Sequence, residues 1–298
     1  MLPTPTCSPL LRLPLFFTMA SLLACNHKKG EGNLAGFAVT PQAYELSNKS
    51  LNEASGIADS KTNTGFLWVQ QDGGNPPAID LVQQNGAWLK TIHLANVVNR
   101  DWEDMVLSTG PKAGGNYLYI AETGDNLLVH PDYAIYRLEE PAAATDTVKQ
   151  VEKIGFFYPD GSHNAEAMLV DPDTKDIYII TKVDKRSRVY KLTYPYSTTI
   201  TNKAELVGSL TYNLAVSAAL SPKGNEIVVK TYDAIYYYQR AAGETIMQAL
   251  SKDPVNLPYE QEPQGEAIVF ANNDSGYYTV SEKALATSVK LYFYKRGK

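Results

Sequence analysis

The chain has 298 residues, of which 44% are hydrophobic and 20% are charged, with 27 lysines and arginines against 32 aspartates and glutamates. This balance excludes a disordered, collagen-like or coiled-coil protein. The net charge of -5, with no tract rich in lysine or arginine, argues against a nucleic-acid partner. Four histidines and two cysteines leave little material for a zinc site or a disulfide framework.

Residues 1–24 predict a bacterial lipoprotein signal peptide. They carry one charge, Arg12, followed by an apolar run over residues 13–23 that is too short for a stop-transfer helix. The segment Leu22-Leu23-Ala24-Cys25 resembles the lipobox, in which the cysteine becomes the lipidated first residue of the mature chain. An ordinary secretory signal is the alternative. We therefore expect a lipid on Cys25, a flexible tether over residues 25–36 and an extracytoplasmic location, anchored to a membrane of the bacterial cell envelope.

Residues 37–298 contain an internal repeat with a period of roughly 50 residues. Each repeat has a short polar entry with small or apolar residues, a turn, a strand rich in aromatic and β-branched residues, and a further strand. The five entries lie at residues 54–58, 102–106, 165–169, 216–220 and 265–269. The 20 tyrosines suit half-buried strands. Four strands per repeat predict a single all-β domain, a five-bladed β-propeller.

The fourth strand of each repeat decides how the predicted ring closes. Such strands are predicted at 88–94, 151–158 and 205–212, and less clearly at 255–259 after a helix at 244–251. The fifth repeat shows only three strands, while an unused strand at 37–46 precedes the first repeat. We expect this N-terminal strand to complete the fifth blade and cover both sheet edges. A six-bladed ring, with a degenerate blade at 240–262, is the alternative.

One column of the aligned repeats carries the candidate metal ligands. Its members are Ser55, Glu103, Glu166, Ser217 and Glu266. Because the first strand of each blade lines the central channel, the three glutamates should face one another, and like charges raise each other's pKa unless a cation intervenes. Such oxygen ligands suit Ca²⁺ best, and Mg²⁺ less because it demands octahedral geometry. An acidic, water-filled channel without an ion is the alternative.

Further polar residues are expected at the mouth of this channel. The first strands contribute Glu53, Asp101, Asn164 and Gln264, the second strands contribute Asp72, Glu122, Lys182, Lys230, Glu282 and Lys283, and Arg100 adjoins Asp101. A mouth of mixed charge above a cation suits a small anion such as phosphate. Solvated loops without a ligand are the alternative.

The blade openings resemble those of secreted bacterial propellers. The segments Asn52-Glu53-Ala54-Ser55-Gly56-Ile57 and Asp101-Trp102-Glu103-Asp104, with the starts at Glu166 and Glu266, are similar to the signatures of the SdiA-regulated and phytase-like (esterase-like) groups. The order Ser, Glu, Glu, Ser, Glu also resembles the calcium ring of five-bladed calcium-activated nucleotidase (apyrase) propellers. That resemblance extends over residues 37–298 and implies Ca²⁺ ligands at the five positions of the column.

Three classes of function remain open at this stage. The chain has no G-x-S-x-G elbow, P-loop or dinucleotide fingerprint. The leading hypothesis is a cell-envelope lipoprotein whose Ca²⁺-holding propeller binds a small anionic ligand or an envelope protein. The alternative is a calcium-dependent phosphohydrolase of nucleotidase or phytase type. There, Glu53 or Asp101 would act as general base, and Arg100, Lys182 or Lys230 would neutralise charge. The third is a structural envelope protein that does not respond to calcium.

Overall fold

The structure is a computed structural model that describes residues 36–297. The predicted signal peptide, Cys25 and all of the predicted tether except Gly36 lie outside the described residues. Within them, no helix is long and apolar enough to cross a membrane.

The strands form five separate sheets, and in each sheet consecutive strands pair antiparallel from the inner strand outwards. Blade 1 contains β2 (Ala54–Asp59), β3 (Phe66–Gln71), β4 (Ala78–Gln83) and β5 (Trp88–Leu94). Blade 2 contains β6 (Trp102–Thr109), β7 (Asn116–Glu122), β8 (Tyr133–Glu139) and, after the short β9 (Thr147–Val148), β10 (Glu152–Phe157). Blade 3 contains β11 (Ala165–Val170), β12 (Ile177–Thr181), β13 (Arg188–Leu192) and, after the short β14 (Asn202–Lys203), β15 (Glu205–Ser209). Blade 4 contains β16 (Ala215–Leu220), β17 (Glu226–Thr231), β18 (Ile235–Gln239) and, after helix α1 (Ile246–Leu250), β19 (Val255–Asn256). Blade 5 contains β20 (Gln264–Phe270), β21 (Gly276–Glu282), β22 (Lys290–Lys295) and the N-terminal β1 (Gln42–Glu45).

The five inner strands form a closed ring. Each contacts the next in the order β2, β6, β11, β16 and β20, and β20 contacts β2. The predicted all-β, five-bladed propeller is therefore confirmed. The six-bladed alternative is wrong, because residues 240–262 hold only α1 and the short β19, which is the outer strand of blade 4.

The ring closes between the two ends of the described chain. Strand β1 pairs antiparallel with β22, and Phe37 forms an isolated bridge with Arg296. The two short strands β9 and β14 cover further edges by pairing in parallel with β5 and β10. These pairings satisfy outer-strand groups that would otherwise offer an open edge to another chain.

The hydrophobic core lies between the blades. Five clusters of buried side chains each fill the space between two adjacent sheets, as where Tyr119 of blade 2 packs with Met168 and Tyr190 of blade 3. Aromatic and β-branched residues suit these interfaces because both faces of every sheet are covered. The blades are thus held at fixed angles around the axis.

A bulge recurs in every inner strand at the level where the strand enters the sheet. The pairing with the second strand skips Ser55 in blade 1, Glu103 and Asp104 in blade 2, Glu166 in blade 3, Val216 in blade 4 and Glu266 in blade 5. A bulge re-aims the side chain of the unpaired residue, and bulges are common beside functional sites. The repeat therefore places the unpaired residues of the five inner strands at one level of the channel, and they are polar in every blade except blade 4.

The closure generates a stability prediction for Phe37→Ala. Phe37 is fully buried, its ring lies 4.9 Å from that of Tyr277, and the Arg296 guanidinium lies 4.4 Å above it. Truncation should cost roughly 3–5 kcal/mol of unfolding free energy because a large aromatic contact is lost. Urea denaturation measures this, with the exposed neighbour Val39→Ala as the matched control. Equal stability of the two variants would mean that the N-terminal segment does not close the ring.

Candidate functional site

Three glutamates from three blades converge on the axis. The bulges in β6, β11 and β20 bring Glu103, Glu166 and Glu266 together, so that one carboxylate oxygen of each lies within 4.8 Å of the others. Each residue is only 3% exposed. We call these three residues the channel group. Their charges face one another where little water can screen them.

The two serines of the predicted column make other contacts. The Ser55 hydroxyl donates a hydrogen bond to the main-chain carbonyl of Glu103. The strand register places Val216, not Ser217, in the bulge of blade 4, so the sequence alignment was one residue out of register there. The Ser217 hydroxyl donates to Asp104 Oδ1 at 3.0 Å. The structure therefore does not bring the Ser217 side chain to the channel group.

Asp104 joins three blades below the channel group. Its carboxylate accepts bonds from the amides of Met105 and Met168 at 2.9 Å, from the Ser217 hydroxyl at 3.0 Å and from the Ala218 amide at 3.3 Å. Burial raises the pKa of Asp104 to about 7, although these four hydrogen bonds favour the ionised form. The residue is a structural link between inner strands, and the sequence analysis assigned it no role.

Lys182 neutralises part of the channel group. Its ammonium lies 2.5 Å from Glu166 Oε2 and 2.6 Å from Oε1, and it donates to the Tyr232 hydroxyl at 2.7 Å. Tyr232 in turn donates to Glu266 Oε1 at 2.6 Å, and Gln264 donates to the same oxygen at 3.0 Å. Glu166 and Glu266 thus have partners within the protein.

The carboxylate of Glu103 has no hydrogen-bond or ion-pair partner among the described residues. Within residues 36–297, no hydrogen bond or ion pair reaches its two oxygens, although its main-chain carbonyl accepts bonds from Ser55 and Gln70. Burial, and then the charges of Glu166, Asp72 and Glu266, raise the pKa of Glu103 well above its usual range. An ionised carboxylate in such a position is costly unless a proton or a cation accompanies it.

A second group of carboxylates shares Glu103. One oxygen each from Asp72, Asp101 and Glu103 also lies within 4.8 Å of the other two, and we call these residues the mouth group. Among the described residues, only the adjacent Gly73 amide donates to the carboxylate of Asp72, at 2.5 Å, and none donates to the carboxylate of Asp101. The Gly124 backbone approaches so closely that a Cβ there would lie 2.4 Å from Asp101 Oδ2. The mouth group therefore keeps most of its oxygen lone pairs free.

The structure separates the predicted cations of the mouth. Arg100 lies beside Glu122, with Nε 3.5 Å from Oε1, and of the three predicted cations only Lys182 forms an ion pair with the channel group. Lys230 is fully buried and donates to Gly265 O at 2.7 Å and Tyr259 at 2.9 Å. The prediction that Lys230 reaches the rim is wrong, because Lys230 is paired inside the sheet, one residue before the last paired position of the second strand.

The register also identifies the true rim column. In four blades the residue that follows the last paired position of the second strand is Asp72, Thr123, Lys182 or Tyr232. The corresponding residue in blade 5 is Glu282, which is still paired with Gln264. Tyr232 was missed, yet the repeated pairs Thr181-Lys182 and Thr231-Tyr232 would have located it. Glu122 accepts from the amides of Arg100 and Asp101 at 3.1 and 2.7 Å, so it orients this loop. Of the other rim candidates, Glu53 accepts from Asn75 at 2.6 Å and remains exposed.

The class of protein defined by this fold is the five-bladed β-propeller. Three solved structures are similar to it, and all three likenesses concern the fold alone. They are a hydrazine synthase from Kuenenia stuttgartiensis (12% identity, 80% of this chain and 70% of that chain, TM-score 0.42), a nidogen/laminin complex (11%, 76% and 72%, 0.45) and the propeller of Dos1 (12%, 81% and 68%, 0.38). No protein-family model matches the chain, and no curated protein matches it.

The carboxylates generate a prediction about pH. The pKa of Asp72 is raised to about 7, and the pKa values of Glu166 and Glu282 are raised to about 8. Burial is the largest cause, and the charges of neighbouring carboxylates raise these pKa values further. Unfolded carboxylic acids release their protons near pH 4. Between pH 4 and pH 8 the folded protein therefore holds protons that the unfolded chain has lost, so stability falls as pH rises.

We expect the metal-free unfolding free energy to decrease by several kcal/mol from pH 5 to pH 8, because each raised carboxylic acid contributes about 1.4 kcal/mol per pH unit below its folded pKa. Urea denaturation across this range measures the slope. Glu282→Gln should make it shallower, whereas Glu205→Gln, at an exposed position on β15, should leave it unchanged. A stability that rises with pH over this range would contradict the assignment of raised pKa values.

Proposed function

We propose that this chain is a binding module of the bacterial cell envelope, a five-bladed propeller that holds a divalent cation at one end of its channel. The observation that carries the proposal is the Glu103 carboxylate, which is buried among four other carboxylates and has no partner in the described protein. A divalent cation would offset these charges without requiring each group to take up a proton.

The mouth group fits Ca²⁺ better than the channel group does, although Glu103 belongs to both. In the channel group, Lys182 already offsets Glu166, and the predicted serine ligands donate their hydroxyl protons elsewhere. In the mouth group, the oxygens of Asp101 and Glu103 are free. We therefore propose the mouth group as the source of ligands, with the rest of the channel group behind it. Hard oxygen ligands without a regular octahedral arrangement suit Ca²⁺ better than Mg²⁺.

The proposal is consistent with the family resemblance of the blade openings. A propeller of the calcium-activated nucleotidase (apyrase) type would carry calcium ligands on its inner strands, and Glu103 is the residue that such a ring and the mouth group have in common. The sequence of residues 1–36 supports the remaining part of the proposal, in which a lipid on Cys25 anchors the protein to a membrane and the tether separates the propeller from it.

A binding role is better supported than a phosphohydrolase. Hydrolysis of a phosphate ester needs cations that are free to meet developing negative charge. Lys230 is fully buried, Lys182 is paired with Glu166, and Arg100 lies against Glu122. The free groups at the mouth are instead carboxylates, which repel an anion and attract a cation.

The proposal predicts opposite effects of Glu103→Gln with and without calcium. Without calcium the variant should be more stable than the wild type, because one buried charge among like charges is removed. With calcium at a hundredfold excess over Kd, the wild type should gain roughly 2.7 kcal/mol by mass action, and the variant should gain little. Calcium titration followed by thermal unfolding measures both effects, and Glu139→Gln on the exposed rim of β8 is the matched control.

Two results would count against this account. Equal calcium responses in the wild type and Glu103→Gln would show that Glu103 does not hold a calcium ion. Calcium-dependent release of phosphate from nucleoside diphosphates or phytate, abolished by Glu103→Gln, would favour the phosphohydrolase over the binding module.

A further inference from the structure

Exposed aliphatic side chains lie at the same end of the propeller as the acidic mouth. They lie in loops at the end of the propeller where inner strands begin, and within residues 36–297 most other large hydrophobic residues are buried or half-buried. We call this set the upper aliphatic arc, and its members are Val98, Leu127, Leu128, Val129, Val183 and Leu214. Leu127 is 81% exposed and Leu214, the least exposed member, is 37% exposed. Clustered exposure of this kind marks an interaction surface more often than scattered single residues do.

The arc is connected directly to the carboxylates. Asn126, which precedes Leu127, accepts a bond from Asn164 at 3.2 Å, and Asn164 also donates to Glu166 Oε1 at 3.2 Å. Val183 follows Lys182 in sequence, and the Leu214 amide donates to the main-chain carbonyl of Lys182 at 2.9 Å. Apolar and acidic groups therefore belong to one continuous face.

Two leucines of the arc are held in an unfavourable backbone conformation. Leu128 has φ of 55° and Leu214 has φ of 62°, in the left-handed region where glycine, asparagine and aspartate are preferred. Leu128 and Leu214 are 48% and 37% exposed, so burial offsets only part of this cost. Strained and exposed apolar residues beside a polar pocket point to a role outside folding.

The negative charge of this face favours a partner with a positively charged group. The free groups at the mouth are the carboxylates of Asp101 and Glu103, with Asp72 and Glu282 nearby. Lys182 shows how this environment holds an ammonium, because its Nζ contacts Glu166 and lies 4.9 Å from the centre of the Tyr232 ring. A second ammonium or guanidinium would be held in a similar way by the mouth group.

We infer that this face docks a segment of another protein in which a lysine or arginine is flanked by aliphatic residues. The cationic side chain enters between Asp72, Asp101 and Glu103, while its aliphatic neighbours cover the upper aliphatic arc. The combination of a charged anchor in a desolvated pocket with apolar contacts around it is typical of energetic centres in protein interfaces. The docking shares Glu103 with the proposed cation but does not require that cation, so calcium and the partner compete.

The test uses a labelled synthetic peptide with one central lysine between leucines on a glycine-serine background. Two matched peptides carry acetyl-lysine in place of lysine, which removes the charge, or serine in place of leucine. Fluorescence polarisation in the presence of a chelator should show binding of the first peptide and at least tenfold weaker binding of the other two. Added calcium should weaken the binding of the first peptide.

Protein variants separate docking from folding. Leu128→Asn and Leu214→Asn should each weaken peptide binding severalfold while the unfolding midpoint stays unchanged or rises, because asparagine tolerates the left-handed conformation. Glu103→Gln should weaken binding as well. Leu89→Asn, at an exposed position of β5 in the outer part of blade 1, should change neither property.

The inference is overturned if the lysine peptide does not bind at millimolar concentration, or if lysine and acetyl-lysine peptides bind equally. It is also overturned if the leucine variants lose binding to phosphatidylcholine vesicles but not to the peptide, which would make the arc a membrane contact. Peptide binding that does not respond to calcium would support the docking surface and count against the shared cation site.

Discussion

Five sheets that share one axis bring the inner strand of every blade into contact with its neighbours, so an inward-pointing side chain meets its equivalents from other blades. The bulge at the start of each inner strand decides which side chain points towards the axis. It directs Glu103, Glu166 and Glu266 to the same point and leaves each of them nearly inaccessible to water. Like charges at this separation must be offset by protons, by cations or by hydrogen-bond donors. Each remaining polar group of the channel either supplies one of these or leaves a carboxylate without one.

The protein supplies partners for the carboxylates of Glu166 and Glu266 but not for that of Glu103. Below the glutamates, the Asp104 carboxylate accepts bonds from main-chain and side-chain donors of blades 2, 3 and 4, which ties the inner strands together. Beside them, Lys182 and Tyr232 connect Glu166 to Glu266. Glu103 also lies close to Asp72 and Asp101, and no described side chain donates a hydrogen bond to the carboxylates of these three residues. This asymmetry is the basis of both proposals, in which a metal ion or the cationic side chain of a partner binds at that place.

Much of the fold could be predicted from the sequence because the repeat is visible in the spacing of aromatic and β-branched strands. The closing strand was predictable too, since three strands in the last repeat and one unused strand at the start complement each other. The site was harder to predict. Small residues around Ser217 gave no sign of which residue is unpaired, so Val216 was overlooked, and Lys230 was placed at the rim although its register puts it inside the sheet. The links made by Asp104 join residues more than 60 positions apart, which no local pattern reveals.

The central claim is that the Glu103 carboxylate is a ligand for a divalent cation at the mouth of the channel. Anomalous diffraction from crystals of the protein grown in calcium tests this claim most directly, because it locates the ion independently of any effect on stability. The account predicts an anomalous peak at roughly 2.3–2.6 Å from an oxygen of Glu103 and from oxygens of Asp72 and Asp101. A crystal structure without a peak there, or with a calcium ion bound only elsewhere, would contradict it.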